Sequence, residues 1–101
     1  MSIEVYIKNN AIKLCDRVYI APNIVDKKLN NAIESIAKGE DPDYVVAIID
    51  TTLFGSAKEG CVIFGDKMYI RPMLGKAVLH EFKYLEEAKY ICEEIEKKMI
   101  K

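Results

Sequence analysis

Histidine, arginine and cysteine are all scarce in this chain of 101 residues, and each shortage removes a class of chemistry. His80 is the only histidine. A nucleophile activated by an imidazole base would have to use it, and the surrounding sequence matches no such site. A strand position near a sheet edge is the plainer role for His80. Only two of the fifteen cationic residues are arginine, Arg17 and Arg71. Arginine is the usual reader of guanine edges and the usual phosphate fork, so nucleic acid is not an expected partner. A net charge of −1 supplies no field toward a polyanion either. The cysteines, Cys15, Cys61 and Cys92, are odd in number and widely spaced. That spacing is neither a disulfide framework nor a zinc pattern, and reduced thiols in a cytoplasmic protein are the economical reading. The run Glu40-Asp41-Pro42-Asp43 lacks the ligand rhythm of a calcium loop and reads as solvated. No metal, cofactor or catalytic residue is expected.

Long apolar runs are missing as well. The first fourteen residues carry Glu4 and Asn9-Asn10 and never build the core of a signal peptide, and no stretch approaches a membrane span. Half the residues are nonetheless hydrophobic and 31% are charged, an ordinary composition for a domain with one core. A chain of this length buries roughly 60–70% of its unfolded surface, so residues 1–101 are expected to form a single α+β domain. The many Ile, Lys and Asn residues suggest an AT-rich bacterial or phage genome.

Periodicity gives the order of elements. Residues 3–8 alternate and read as a strand, Asn9-Asn10 as a turn, and Ala11–Leu14 and Arg17–Ile20 as short further strands up to Pro22. A helix is expected from about Ile24 to Lys38, because Leu29, Ile33, Ile36 and Ala37 fall on one stripe. Asn23 is its expected N-cap, Asp26 suits its first turn, and Gly39 is its expected C′ stop before Pro42. Tyr44–Ile49 is apolar throughout, as a strand covered on both faces is. Its expected neighbours are Gly60–Phe64 and Lys67–Arg71, joined by a tight turn at Gly65-Asp66. Lys76–Phe82 reads as another strand, with Val78, His80 and Phe82 on one face. A closing helix is expected from about Tyr84 to Met99, with Leu85, Ala88, Ile91, Cys92, Ile95 and Met99 inward.

The segment Asp50–Gly60 stands out between two strands. It carries Leu53 and Phe54 where a plain hairpin loop would be polar, and glycine at 55 and 60. Apolar loop residues fold back to pack or meet a partner. Gly55 and Gly60 permit positive φ, and Ser56 with neighbouring amides and Lys58 would suit an anion. The competing reading is that the glycines shape a strand connection while Leu53 and Phe54 cap the core. Without a following Lys-Ser/Thr the pattern is no P-loop. Leu53, Phe54, Gly55, Ser56, Lys58 and Gly60 are the candidate binding residues. The six tyrosines fit either an interface or the margin of a small core.

The stretch Ile20–Tyr69 resembles a bacterial pleckstrin-homology-like (PH-like) family. The residues that carry the likeness are Ala21-Pro22-Asn23-Ile24, Leu29, Ala32-Ile33 and Ser35, then the run Ala47 to Gly60, then Phe64-Gly65-Asp66 and Met68-Tyr69-Ile70. The resemblance implies a curved antiparallel sheet closed by the C-terminal helix, in cytoplasmic, non-enzymatic proteins. The chain shows fewer strands after Asp43 than the complete family fold. Either N-terminal strands complete the sheet, or this is a shortened relative whose open edge pairs with another chain, as in a homodimer. The expected function is a non-catalytic interaction module that binds a protein partner. The alternatives are a small inhibitor encoded by a phage or mobile element, of the anti-CRISPR kind, and an anionic-ligand or lipid binder.

Overall fold

A computed structural model describes Val5 and residues 18–50, 52, 55–72 and 75–81. Its elements are β1 (Val18–Ile20), α1 (Asp26–Ser35), a 3₁₀ turn (Pro42–Tyr44), β2 (Val45–Asp50), β3 (Gly60–Phe64), β4 (Lys67–Arg71) and β5 (Val78–Glu81). The strands form one open antiparallel sheet in the order β1-β2-β3-β4-β5, so spatial order follows chain order. With α1 packed on the sheet, the architecture is α+β. Among the described residues no helix is long and apolar enough to cross a membrane.

The expected strand at residues 3–8 lies outside the described residues except for Val5, which is helical and 46% exposed. Of the two other N-terminal runs, Ala11–Leu14 is outside the described residues, and Val18–Ile20 adds a strand beside β2. The expected C-terminal helix, the cysteines Cys15 and Cys92, and Phe82 are outside them too.

α1 is shorter than its apolar stripe. Val25, not Asn23, is the N-cap, and no side chain caps it. The Asn23 amide instead closes a turn onto the Ile20 carbonyl at 3.0 Å. Asp26 does occupy the first turn. At the other end φ opens to −117° at Ile36, and the chain leaves the helix there. Ile36 and Ala37 still donate to the Ala32 and Ile33 carbonyls, at 2.8 and 3.1 Å, and stay in the core, 2% and 0% exposed. Gly39 is therefore not the helix stop. It serves, at φ +93°, the turn in which the Glu40 amide reaches the Ala37 carbonyl.

β2 is buried at every residue, as expected of its apolar run Val45–Ile49 covered on both faces, and the burial extends to Asp50. Tyr44 does not belong to it; it ends the 3₁₀ turn and is 73% exposed. The neighbours of β2 are β1 and β3, and Lys67–Arg71 lies one strand further out, paired with β3. The tight turn at Gly65-Asp66 makes that hairpin, so β4 has to lie beside β3. On the face toward α1, Tyr19, Ile48, Val62, Phe64 and Tyr69 meet Ile24, Leu29, Ala32, Ile33, Ile36 and Ala37. On the other face Ala47, Ile49, Cys61, Ile63 and Met68 are 0% exposed. Burying one such isoleucine contributes about 1.5–3 kcal/mol.

A β-bulge interrupts β2. Val45 pairs with Phe64 and Ala47 with Ile63, so Val46 is an extra residue. Strict alternation would put Val45 on the face of Ala47; the bulge turns it to the α1 side, where it joins the core. At the open end of the sheet, β5 exposes Val78 (52%) and Leu79 (43%). His80 lies half-buried opposite Met68, and Leu79 lies opposite Tyr69.

Candidate functional site

The segment after β2 is tied down from several sides. Asp50 is fully buried at the end of the strand. Lys28 of α1 donates to its Oδ2 at 2.8 Å, and the same ammonium lies 4.0 Å from the Tyr19 ring centroid. Oδ1 accepts from the Thr52 amide at 2.9 Å and from the Thr52 hydroxyl. The Thr52 Oγ1 in turn accepts from the Ala57 amide at 3.3 Å. Burial pushes the Asp50 carboxyl up, but the bonds from Lys28 and Thr52 outweigh it and hold the group below its ordinary range. Burial likewise works against the Lys28 charge, and Asp50 and Tyr19 outweigh it, so its pKa is raised.

The second half of the segment is anchored through its carbonyls. Asn31 of α1 donates Nδ2 to the Ser56 carbonyl at 3.0 Å. Arg71 of β4 donates to three carbonyls: Ser35 at 3.0 Å, Lys58 at 3.3 Å and Gly75 at 3.2 Å. Its guanidinium thereby joins the end of α1, the loop before β3 and the loop before β5. Gly55 and Gly60 use positive φ, 78° and 126°, as glycine at those positions allows, and Ala57 sits at φ 61° while fully buried.

The expected binding residues are distributed over this frame. Leu53 and Phe54 are outside the described residues. Gly55 and Ser56 are half-buried, Lys58 is exposed, and Gly60 is buried at the start of β3. The Ala57 amide beside Ser56 is engaged by Thr52. Lys28, Asn31 and Arg71, which hold the segment, are not singled out by any local motif. They come from elements 22, 25 and 13 residues away from the groups they bind in the segment.

A second feature lies at the opposite end of the sheet. Val45, Val46 and Phe64 floor an open groove of about 470 Å³, with Asp43, Tyr44 and Asp66 along its rim. Glu40, also at the rim, is already engaged. It accepts from the Tyr69 hydroxyl and pairs with Lys67 at 3.1 Å. Those bonds hold the Glu40 carboxyl below its ordinary range, the Tyr69 hydroxyl chiefly and the Lys67 ammonium next. Phe64 meets Tyr69 edge to face, with centroids 6.2 Å apart. Sequence pattern gives the acidic run its solvated character but not the groove, which needs the β3–β4 turn folded beside the 3₁₀ turn. No group of three or more His, Cys, Asp or Glu suited to a metal occurs among the described residues.

Comparison with known protein families, with curated proteins and with solved structures finds no match to this chain.

Proposed function

We propose that this chain is a non-catalytic interaction module of the PH-like kind that works in the cytoplasm by contact with another protein. The edge strand β5 carries the reading. It is the last strand of the sheet, pairs only with β4 among the described residues, and exposes Val78 and Leu79 on its two faces. An edge with unpaired backbone groups and apolar side chains is a template for strand addition. The polar groups around the Asp50–Gly60 segment support the same reading, since Lys28 is spent on the Asp50 carboxylate and Asn31 and Arg71 on the Ser56 and Lys58 carbonyls.

The partner is either a different protein or a second copy. An inhibitor of a host or defence protein would act by the same kind of contact. The test combines sedimentation equilibrium of the pure chain with affinity capture from the native host, for wild type and Leu79→Lys. The substitution is expected to abolish self-association or capture while changing stability by no more than about 0.5 kcal/mol. Retention of the same partner by a folded Leu79→Lys protein would remove β5 as the contact.

A further inference from the structure

The groove beside Tyr44 has the shape and charge to take a particular side chain. Its floor of Val45, Val46 and Phe64 is apolar, and Tyr44 stands at its edge 73% exposed. Asp43 and Asp66 line it and form no ion pair among the described residues, whereas Glu40 is neutralised by Lys67. Lys67 also lines the groove, so the lining sets three carboxylates against one ammonium, beside an aromatic ring and above an apolar floor. That one cation is held by a carboxylate and a ring. The Lys67 ammonium lies 5.6 Å from the Phe64 ring centroid while paired with a carboxylate. Long cationic side chains lay their methylene stems along apolar surface and keep the head at charge or at an aromatic face.

We propose that this groove docks a lysine or arginine side chain from an extended segment of the protein partner. The stem lies over Val45, Val46 and Phe64. The head meets Asp43 and Asp66 and packs against the Tyr44 ring. This rests on the reading that the chain binds protein, but it uses a surface distinct from the outer edge of β5.

The test is a titration of the full-length, ¹⁵N-labelled chain with a short capped peptide, acetyl-Gly-Leu-Arg-Leu-Gly-amide, followed by amide chemical shifts. The control peptide carries citrulline in place of arginine, which keeps the shape and removes the charge. Saturable shifts are expected at Tyr44, Val46, Phe64 and Asp66. The citrulline peptide, and separately the Asp43→Asn/Asp66→Asn double variant, are expected to weaken binding about tenfold. Tyr44→Ala is expected to weaken it a few-fold, with the folded spectrum retained in both variants. Absence of shifts in the groove, equal affinity for the citrulline peptide, or unchanged affinity of the double variant overturns the proposal. Leu79→Lys is expected to leave this titration unchanged. Groove binding that persists while Leu79→Lys fails to affect partner capture therefore counts against the edge alone. Loss of capture in Leu79→Lys, without groove shifts in wild type, counts against the groove alone.

Discussion

Lys28 Nζ and Asp50 Oδ2 lie 2.8 Å apart, with the carboxylate side chain fully buried and the lysine side chain 15% exposed. The pair fastens the first turns of α1 to the last residue of β2. The Asp50 carboxylate keeps its charge in this buried position with the help of bonds from Lys28 and Thr52.

Removing Lys28 alone leaves that carboxylate short of its main donor. Lys28→Met keeps the stem and is expected to cost about 3 kcal/mol in urea denaturation, the low end for a broken buried pair because the lysine keeps some solvent. Adding Asp50→Asn to Lys28→Met should cost much less than the two single losses combined. A double-mutant cycle with no coupling between the positions would show that the contact is incidental.

The same pair sets a pH window. The Asp50 carboxyl is held below its ordinary value of 3.8, so its contribution is complete above that value and is lost as pH falls through the depressed one. The Lys28 pKa is raised above its ordinary 10.5, so its contribution is complete below 10.5 and is lost as pH rises through the raised value. Melting temperatures of wild type and Lys28→Met should differ by a constant amount through the neutral range and converge toward both extremes. A difference that peaks in acid contradicts this assignment.

Ala57 is a non-glycine residue held at φ 61° with its methyl fully buried. Ala57→Gly relieves a backbone cost of about 1–2 kcal/mol and gives up about 0.8 kcal/mol of methyl burial, so stability should stay within about 1 kcal/mol of wild type. Ala57→Val places a β-branched residue in that region and should be destabilising by more than about 2 kcal/mol. Thermal unfolding of the two variants checks the ordering, and equal stability would mean the loop relaxes freely.

Arg71 is not replaceable by lysine. A single ammonium cannot reach Ser35, Lys58 and Gly75 from the fixed fork that the guanidinium supplies. Arg71→Lys is expected to cost about 1–2 kcal/mol. It should also speed hydrogen exchange in the loops before β3 and β5 together. Faster exchange in only one of them would show that the three contacts are independent.

Cys61 is fully buried on the face of the sheet away from α1. Labelling by a thiol reagent under native conditions should proceed only through opening of β3, at the rate of the slowest-exchanging amides there. Rapid labelling would place the sulfur at a solvent-accessible position.

Much of the sheet is legible in the sequence because period and punctuation agree. Val45–Ile49 is apolar throughout, Gly65-Asp66 marks the hairpin, and Val78 and His80 share a face as their spacing requires. The helix is legible as a stripe but not in its ends. Ile36 and Ala37 lie past its last residue yet still donate four residues back, so the apolar stripe outruns the helix. The Asp50–Gly60 segment stands out by composition, yet its anchors do not. Lys28, Asn31 and Arg71 meet it only after the chain has folded, and no local pattern distinguishes them from solvated residues. The acidic run is likewise visible, while its placement beside Phe64 depends on two turns coming together.

The extra residue at Val46 gives β2 an uneven tolerance to insertion and deletion. Val45 and Ala47 oppose adjacent residues of β3, so loss of Val46 alone closes the gap and leaves every other pair in register. Removing a residue from Ala47–Ile49 instead shifts part of the strand by one and exchanges its two buried faces. Among single-residue deletions along β2, loss of one of the two valines (the same chain whether Val45 or Val46 is removed) is therefore expected to retain the most folded protein, readable as soluble yield and melting temperature. The bulge is thus the natural place for the length of this strand to drift between related chains.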